Sequence, residues 1–97
     1  MIRVVFREGA RNDLRRIMVW HRDRKDGSEA RVEAAMDAEV NRLRRHPRAY
    51  QMRRPPYRFA LLDRFKYVII YSVVDRTVVL HRIRHMHQRP LKRYSKD

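Results

Sequence analysis

Two apolar runs separated by only two residues constrain this chain more than any other feature. They lie in the stretch FKYVIIYSVVDRTVVLHRIRH, from Phe65 to His85. Tyr67 to Val74 and Thr77 to Ile83 are rich in Val, Ile and Tyr, which suit a pleated, half-buried surface, and Asp75-Arg76 is the only break between them. The spacing predicts an antiparallel hairpin at the centre of a sheet. A two-residue hairpin loop favours Asn-Gly or Asp-Gly with both residues at positive φ. With Arg76 in the second position, a looser loop from Val74 to Thr77 is an equal alternative. Beyond the second run the pattern gives way to His81, Arg82, Arg84, His85, His87 and Arg89, so a core strand delivers imidazoles and guanidiniums to a surface.

The rest of the chain supplies what such a hairpin needs on its faces. Ile2 to Phe6 is a short β-prone run expected at or near a sheet edge. Between residues 8 and 24, Ala10, Leu14, Ile17, Met18 and His21 recur at spacings of three and four, the apolar stripe of a helix. Trp20 sits off the centre of that stripe and is expected to close the edge of the core. Asp23 to Gly27 has turn composition. Ser28 is expected to cap a second helix with the stripe Val32, Met36, Val40 and Leu43. Its acidic residues come early and Arg42, Arg44, Arg45 and His46 late, the order that complements the helix dipole, and Pro47 closes it.

Arg48 to Pro56 contains Arg53-Arg54-Pro55-Pro56, which disfavours both helix and central strand, so a basic loop is expected. Tyr57 to Leu62 alternates as a further strand, and Asp63-Arg64 turns it into the hairpin. The order β-α-α-β-β-β defines an α+β fold, a helical hairpin packed on one face of a small antiparallel sheet. Both parities of the strand from Phe65 to Val74 are apolar, so the second face also needs cover, and a partner is a candidate for it.

At 97 residues the chain reads as a single domain, 1–97, whose tail from about 88 to 97 is ordered only when a partner or the fold's edge holds it. Net charge is +14, and 21 of the 25 basic residues are Arg, which favours planar, bidentate partners such as phosphates or carboxylates. The charge is uneven: residues 1–41 carry 9 basic and 8 acidic side chains, residues 42–97 carry 16 and 3. Nucleic acid and an acidic protein both fit such a field, and a solvated, compositionally biased surface is the plainer alternative. Without cysteine there is no disulfide framework or thiolate metal site. No segment approaches a signal peptide's apolar core or a membrane span, so the expectation is a cytoplasmic protein with no membrane association.

Several positions resemble the RelE/ParE superfamily of toxins from type II toxin-antitoxin modules, on its ParE-like, plasmid-stabilisation side. Ala10, Asp13, Leu14, Ile17 and Trp20 form A..DL..I..W, and Leu43, His46 and Pro47 form L..HP. The block RFALLDRFKYVIIYSV from Arg58 to Val73 follows, then His85 and the Gln88 to Pro90 run QRP. The resemblance implies growth arrest, neutralised by a cognate antitoxin that is acidic overall or in its binding segment and forms a hetero-oligomer with the toxin. Two targets divide the superfamily. ParE-like members inhibit DNA gyrase without being nucleases, whereas RelE-like members cut messenger RNA on the ribosome.

The RelE-like central strand usually reads YRLVY, with a catalytic arginine after the first Tyr. Here Tyr67 to Tyr71 reads YVIIY and Val68 holds that position, leaving the role to Arg58 or Arg82 if it is filled. On the ParE-like side the usual Asp-Pro after the last strand is Arg89-Pro90. The sequence therefore leans to gyrase inhibition by a non-enzyme, with an endoribonuclease as the alternative and a non-toxic basic RNA-binding module as a third reading.

The candidate site residues follow from these readings. His81, His85 and His87 share a parity and would lie on one face if the strand continues. His85 and His87 could then act as general base and acid on a phosphodiester held by Arg84 or Arg89, with Arg58 and Arg82 as further catalytic candidates. The plainer alternative is a set of solvated strand-end residues. Arg53, Arg54, Arg58, Arg84, His85, His87 and Arg89 are the candidates for contacting target or antitoxin, the first three within a basic cluster that includes Arg42, Arg44, Arg45 and Arg48. No cofactor is expected, and no metal either, because three imidazoles on an open strand lack the carboxylate or thiolate neighbours of a built zinc site.

Overall fold

A computed structural model describes residues 1–94 of the chain. Its elements run β1 (Arg3–Phe6), α1 (Glu8–Arg24), α2 (Ser28–Arg45), β2 (Met52–Arg54), β3 (Tyr57–Leu62), β4 (Tyr67–Val74) and β5 (Thr77–His85). The sheet order is β1-β5-β4-β3-β2, so the hairpin strand β4 is central and β1 is an edge, as the residue pattern predicts. Two details differ from the wholly antiparallel, four-stranded reading. β1 pairs with β5 in parallel, because two helices intervene between them in the chain and β1 enters the sheet in the direction of β5. Met52–Arg54, expected as loop, forms a short exposed edge strand against β3, a position that tolerates the prolines following it.

The β4–β5 loop is the tight alternative, with Val74 paired to Thr77. Asp75 takes the left-handed conformation (φ 55°), which Asp tolerates well. Arg76 keeps a negative φ, so the missing glycine costs the turn nothing.

One face of the sheet presents Ala60, Leu62, Tyr67, Ile69, Tyr71, Val78, Leu80 and Ile83 to Ala10 on α1 and Val32, Met36 and Leu43 on α2. All of these side chains are buried. Burying a Leu- or Val-sized side chain contributes about 1.5–3 kcal/mol, so this layer supplies most of the driving force. Trp20 does not join it: its indole is 54% exposed, because α1 carries it past the end of the sheet. Ser28 begins α2 rather than capping it. Gly27 stands at the cap (φ 81°), and the Asp26 carboxylate accepts the Ser28 N–H at 2.9 Å.

The opposite face is partly covered from within the chain. Tyr94, buried, packs edge-on against Tyr57 (4.9 Å between ring centroids) and Phe59 (5.8 Å). The Arg54 guanidinium holds that ring in place, donating to the Tyr94 hydroxyl at 2.8 Å and to the carbonyls of Leu91 and Lys92. The fold's edge therefore anchors the tail as far as Tyr94; residues 95–97 lie outside the described residues.

Helix α1 is locked to β5 where β1 stops. β1 pairs with β5 only as far as Leu80, so the outer edge of β5 beyond it has no strand neighbour. The Asp13 carboxylate from α1 fills the gap, accepting the Ile83 N–H at 2.9 Å and two bonds from Arg82, at 2.7 and 2.9 Å. Asp13 is only 4% exposed and also pairs with Arg16. Gly9 permits the close approach, since a Cβ there would stand 2.8 Å from Arg82 Cδ and 2.9 Å from the His81 carbonyl. Removing one partner of a buried, hydrogen-bonded ion pair leaves the other uncompensated. Asp13→Ala is accordingly expected to lower unfolding free energy by about 3 kcal/mol in urea titration, and a loss below ~1 kcal/mol would contradict this account.

Candidate functional site

Three turns meet at one end of the molecule: Lys25 to Gly27 between the helices, Asp63 to Lys66 between β3 and β4, and Met86 to Gln88 after β5. A bond from the Met86 N–H to the Lys66 carbonyl, 2.8 Å, ties the last two together. Between them and the end of α1 lies a cleft of about 720 Å³. Its apolar lining comes from Ile17, Trp20, Phe65 and Tyr67. Its cations are Arg16, Arg24, Arg31, Arg64 and Lys66, against the carboxylates of Asp13 and Asp26. Neither carboxylate is idle, since Asp13 holds Arg82 and Ile83 while Asp26 holds Ser28 and, at 3.0 Å, Arg24. Those bonds, from Ser28 first and then Arg24, keep the Asp26 carboxyl well below the usual carboxylate range.

The buried His21 imidazole forms part of the cleft's inner wall and is hydrogen-bonded at both nitrogens. Nδ1 lies 2.9 Å from Ser28 Oγ on α2, and Nε2 lies 3.0 Å from the Tyr67 hydroxyl on β4. One ring thus joins both helices to the central strand. Burial, reinforced by the Arg24 charge, lowers its pKa below 6.5. Burial also raises the Tyr67 phenol, so both groups are neutral near pH 7.

The three candidate histidines do not share a face. A bulge in the β4–β5 ladder places Ile70 opposite Arg82 and Tyr71 opposite Leu80, so His81 is the extra residue and the side-chain alternation resets there. His81 turns to the face away from the helices, with Nε2 2.8 Å from Ser72 Oγ and its ring edge-on to Tyr57. His85 lies on the helical face at the cleft, its ring edge-on to Tyr67. The strand ends at His85, and the following turn brings His87 back over it, with ring centroids 5.1 Å apart. His85 Nδ1 accepts the His87 N–H at 3.2 Å, and Gln88 Oε1 accepts the His85 N–H at 2.8 Å. With Nδ1 accepting, neutral His85 carries its proton on Nε2.

The candidate arginines separate into groups. Arg84 leaves β5 on the other face, where it pairs across from Val68, and donates to the Arg89 carbonyl at 2.8 Å. Burial and the neighbouring Arg82 charge lower its pKa. The bonds to Asp13 raise that of Arg82. Arg58 sits at the far end of the sheet and donates to the Tyr50 carbonyl at 2.7 Å and the Arg48 carbonyl at 3.4 Å. Arg54 clamps the tail, and Arg53 is exposed on β2. The structure therefore unites His85 with His87, and Arg84 with Arg89 and the neighbouring Arg82, while Arg53, Arg54 and Arg58 lie apart from them.

Trp20, His21, Ser28 and Tyr67 were absent from the sequence candidates. Only the exposed indole had a signal, its position off the helix stripe; the His21–Tyr67 bond spans 46 residues.

In comparisons with known proteins, a family model described as the ParE toxin of type II toxin-antitoxin system, parDE, matches residues 4–90. No curated protein matches the chain in sequence. Among solved structures, the isolated E. coli RelE toxin aligns with a TM-score of 0.64 at 20% identity, over 92% of this chain and 88% of that one. A chain of the chromosomal ParDE toxin-antitoxin system from P. aeruginosa aligns with a TM-score of 0.64 at 19% identity, over 90% and 98%. At these identities the likeness shows the fold.

The lowered pKa of His21 has a definite sign in stability. The unfolded imidazole, near 6.5, binds a proton more readily than the folded one, so stability falls as pH drops below ~6.5 and through the folded value. Urea midpoints are expected to decline between about pH 7.5 and pH 5, and His21→Gln is expected to flatten that decline relative to the parent. An unchanged slope in the variant would assign the pH dependence to other groups.

Proposed function

The chain belongs to the ParE toxin family of type II toxin-antitoxin systems, and from that premise we propose that it arrests growth by inhibiting DNA gyrase, without cutting nucleic acid, until a cognate antitoxin binds it. One observation carries the choice of mechanism. The positions from which an arginine could stabilise a phosphorane in the middle of the sheet are empty or committed. Val68 is aliphatic, Arg82 is held by Asp13, and Arg58 donates through one terminal nitrogen to two backbone carbonyls while its Nε is buried. The Arg82 guanidinium, paired through Nε and one terminal nitrogen with a buried carboxylate, would have to break those bonds to turn its bidentate face to a transition state.

Gyrase supports action in the cytoplasm, and the basic second half of the chain supports an antitoxin whose binding segment is acidic. The purified protein with gyrase and supercoiled plasmid is expected to accumulate linear DNA or to block supercoiling. Cells expressing it without antitoxin are expected to filament and stop dividing while their transcripts stay intact.

The adjacent His85 and His87, their rings tilted by 35° with centroids 5.1 Å apart, favour a second reading, a ribosome-dependent messenger RNA endonuclease with one imidazole as general base and the other as acid. On that reading His85→Ala with His87→Ala lowers cleavage by at least ~100-fold and abolishes growth arrest. Full growth arrest by the double variant, with no new transcript ends, would eliminate it.

A further inference from the structure

At the other end of α2 from the cleft lies an arginine surface that no acid interrupts. Residues 42–58 hold seven arginines and no Asp or Glu. They form the last turn of α2, the loop to β2, β2 itself and the start of β3. In that last turn only Leu43 is buried, so Arg42, Arg44 and Arg45 are all displayed, and Arg48 and Arg53 are exposed beside them on the loop and on β2. None of these five forms an ion pair among the described residues. Glu39, the nearest acid in the chain, already accepts the Tyr50 hydroxyl at 2.9 Å. The loop is also held in place. Arg58 donates to the carbonyls of Tyr50 and Arg48, and the buried Tyr71 donates its hydroxyl to the Pro47 carbonyl at 2.9 Å. The arginines therefore start from a fixed backbone, which lowers the ordering cost of binding.

What such a surface suits is set by what it lacks. A stable protein interface has an apolar centre, and the only large apolar side chain exposed between residues 42 and 58 is Met52. Single-stranded nucleic acid is held by aromatic rings open to stacking, and both tyrosines here are engaged. Tyr50 has the Arg42 guanidinium 5.3 Å from its ring centroid, and Tyr57 packs edge-on against Tyr94. A duplex asks for neither feature, because its bases are already stacked and its outside is a regular array of phosphates that Arg meets bidentately. From this combination we infer that the α2 end of the molecule binds the phosphate backbone of duplex DNA, without reading its sequence, through Arg42, Arg45, Arg48 and Arg53. The choice of DNA over duplex RNA rests on the gyrase reading, whereas the duplex-binding surface stands on the arginines alone.

The test titrates the intact protein into a fluorescein-labelled DNA duplex of about 20 bp, two helical turns, and follows anisotropy over a range of salt concentrations with no gyrase present. Four phosphate contacts at about −0.9 each predict a slope of about −3.6 for log affinity against log salt, and duplexes of unrelated sequence are expected to bind within about twofold of one another. Arg45→Ala with Arg53→Ala is expected to weaken binding at least ~tenfold and to make the slope shallower by about two. Arg15→Ala with Arg22→Ala, exposed on α1, removes the same charge from elsewhere and is expected to leave the slope unchanged. Circular dichroism checks that both variants fold, and Arg45→Lys with Arg53→Lys, which keeps the charges, is expected to keep the parent slope. An unchanged slope in the Arg45→Ala, Arg53→Ala variant, or equal weakening by the α1 pair, overturns the inference. So does tighter binding of a single strand or of an RNA duplex than of the DNA duplex, or displacement by polyglutamate as effective, charge for charge, as by unlabelled DNA. The gyrase reading is scored separately by supercoiling inhibition: inhibition without duplex binding sinks this inference alone, and duplex binding without inhibition sinks the gyrase reading alone.

Discussion

The Asp13 carboxylate is the contact on which the arrangement of this molecule depends. Strand β1 runs out at Phe6, leaving the outer edge of β5 without a neighbour just where α1 crosses it. An unpaired backbone N–H at a buried edge costs about as much as a lost hydrogen bond. A helix can satisfy it only by extending a side-chain acceptor, and Asp13 does so for Ile83 while neutralising Arg82. The pair also sets how far along β5 the helix sits. That setting carries His21 over Tyr67 and Trp20 beyond the end of the sheet, and so creates the cleft. The same contact removes Arg82 from the pool of groups available for chemistry.

A second consequence is the division of the arginines. A surface of net charge +14 would be costly to compact if its cations faced one another unscreened. Instead many guanidiniums are distributed over internal acceptors: Arg82 on a carboxylate, Arg58 on carbonyls, Arg54 on the tail and the Tyr94 hydroxyl, Arg84 on the Arg89 carbonyl. The number of arginines in the sequence therefore overstates the cations free to meet a partner. Among those with no acceptor in the described hydrogen bonds, Arg31 and Arg64 stand at the rim of the cleft and Arg42 and Arg45 at the end of α2, two separate surfaces on a molecule whose longest dimension is 40 Å. A toxin must offer surfaces both to a target and to the protein that silences it, and two charged regions at opposite ends of one helix suit that requirement.

Much of the architecture was legible in the residues. Apolar periodicity of two in the hairpin and of three to four in the helices follows from backbone geometry alone, so the central hairpin, the edge position of β1 and the helical pair could be read directly. The pattern around Val68 could be read too, since an aliphatic residue at a strand position has no alternative chemistry. The second apolar face also came through, although part of its cover turned out to be Tyr94 of the same chain rather than a partner.

What the sequence could not settle were the features made by contacts across long separations. The shared parity of His81, His85 and His87 held only if the ladder was regular. One bulge residue resets the alternation, and bulges depend on how neighbouring strands twist and pair, which no single strand encodes. Whether Arg82 was a catalytic candidate or a structural clamp turned on Asp13, 69 residues away. By itself the sequence determined which segments would form strands and helices and where positive charge would accumulate. Only the tertiary structure decided which charges are spent inside the fold, because a hydrogen bond is satisfied by whichever acceptor the packing brings within about 3 Å, however far apart the residues lie in the chain.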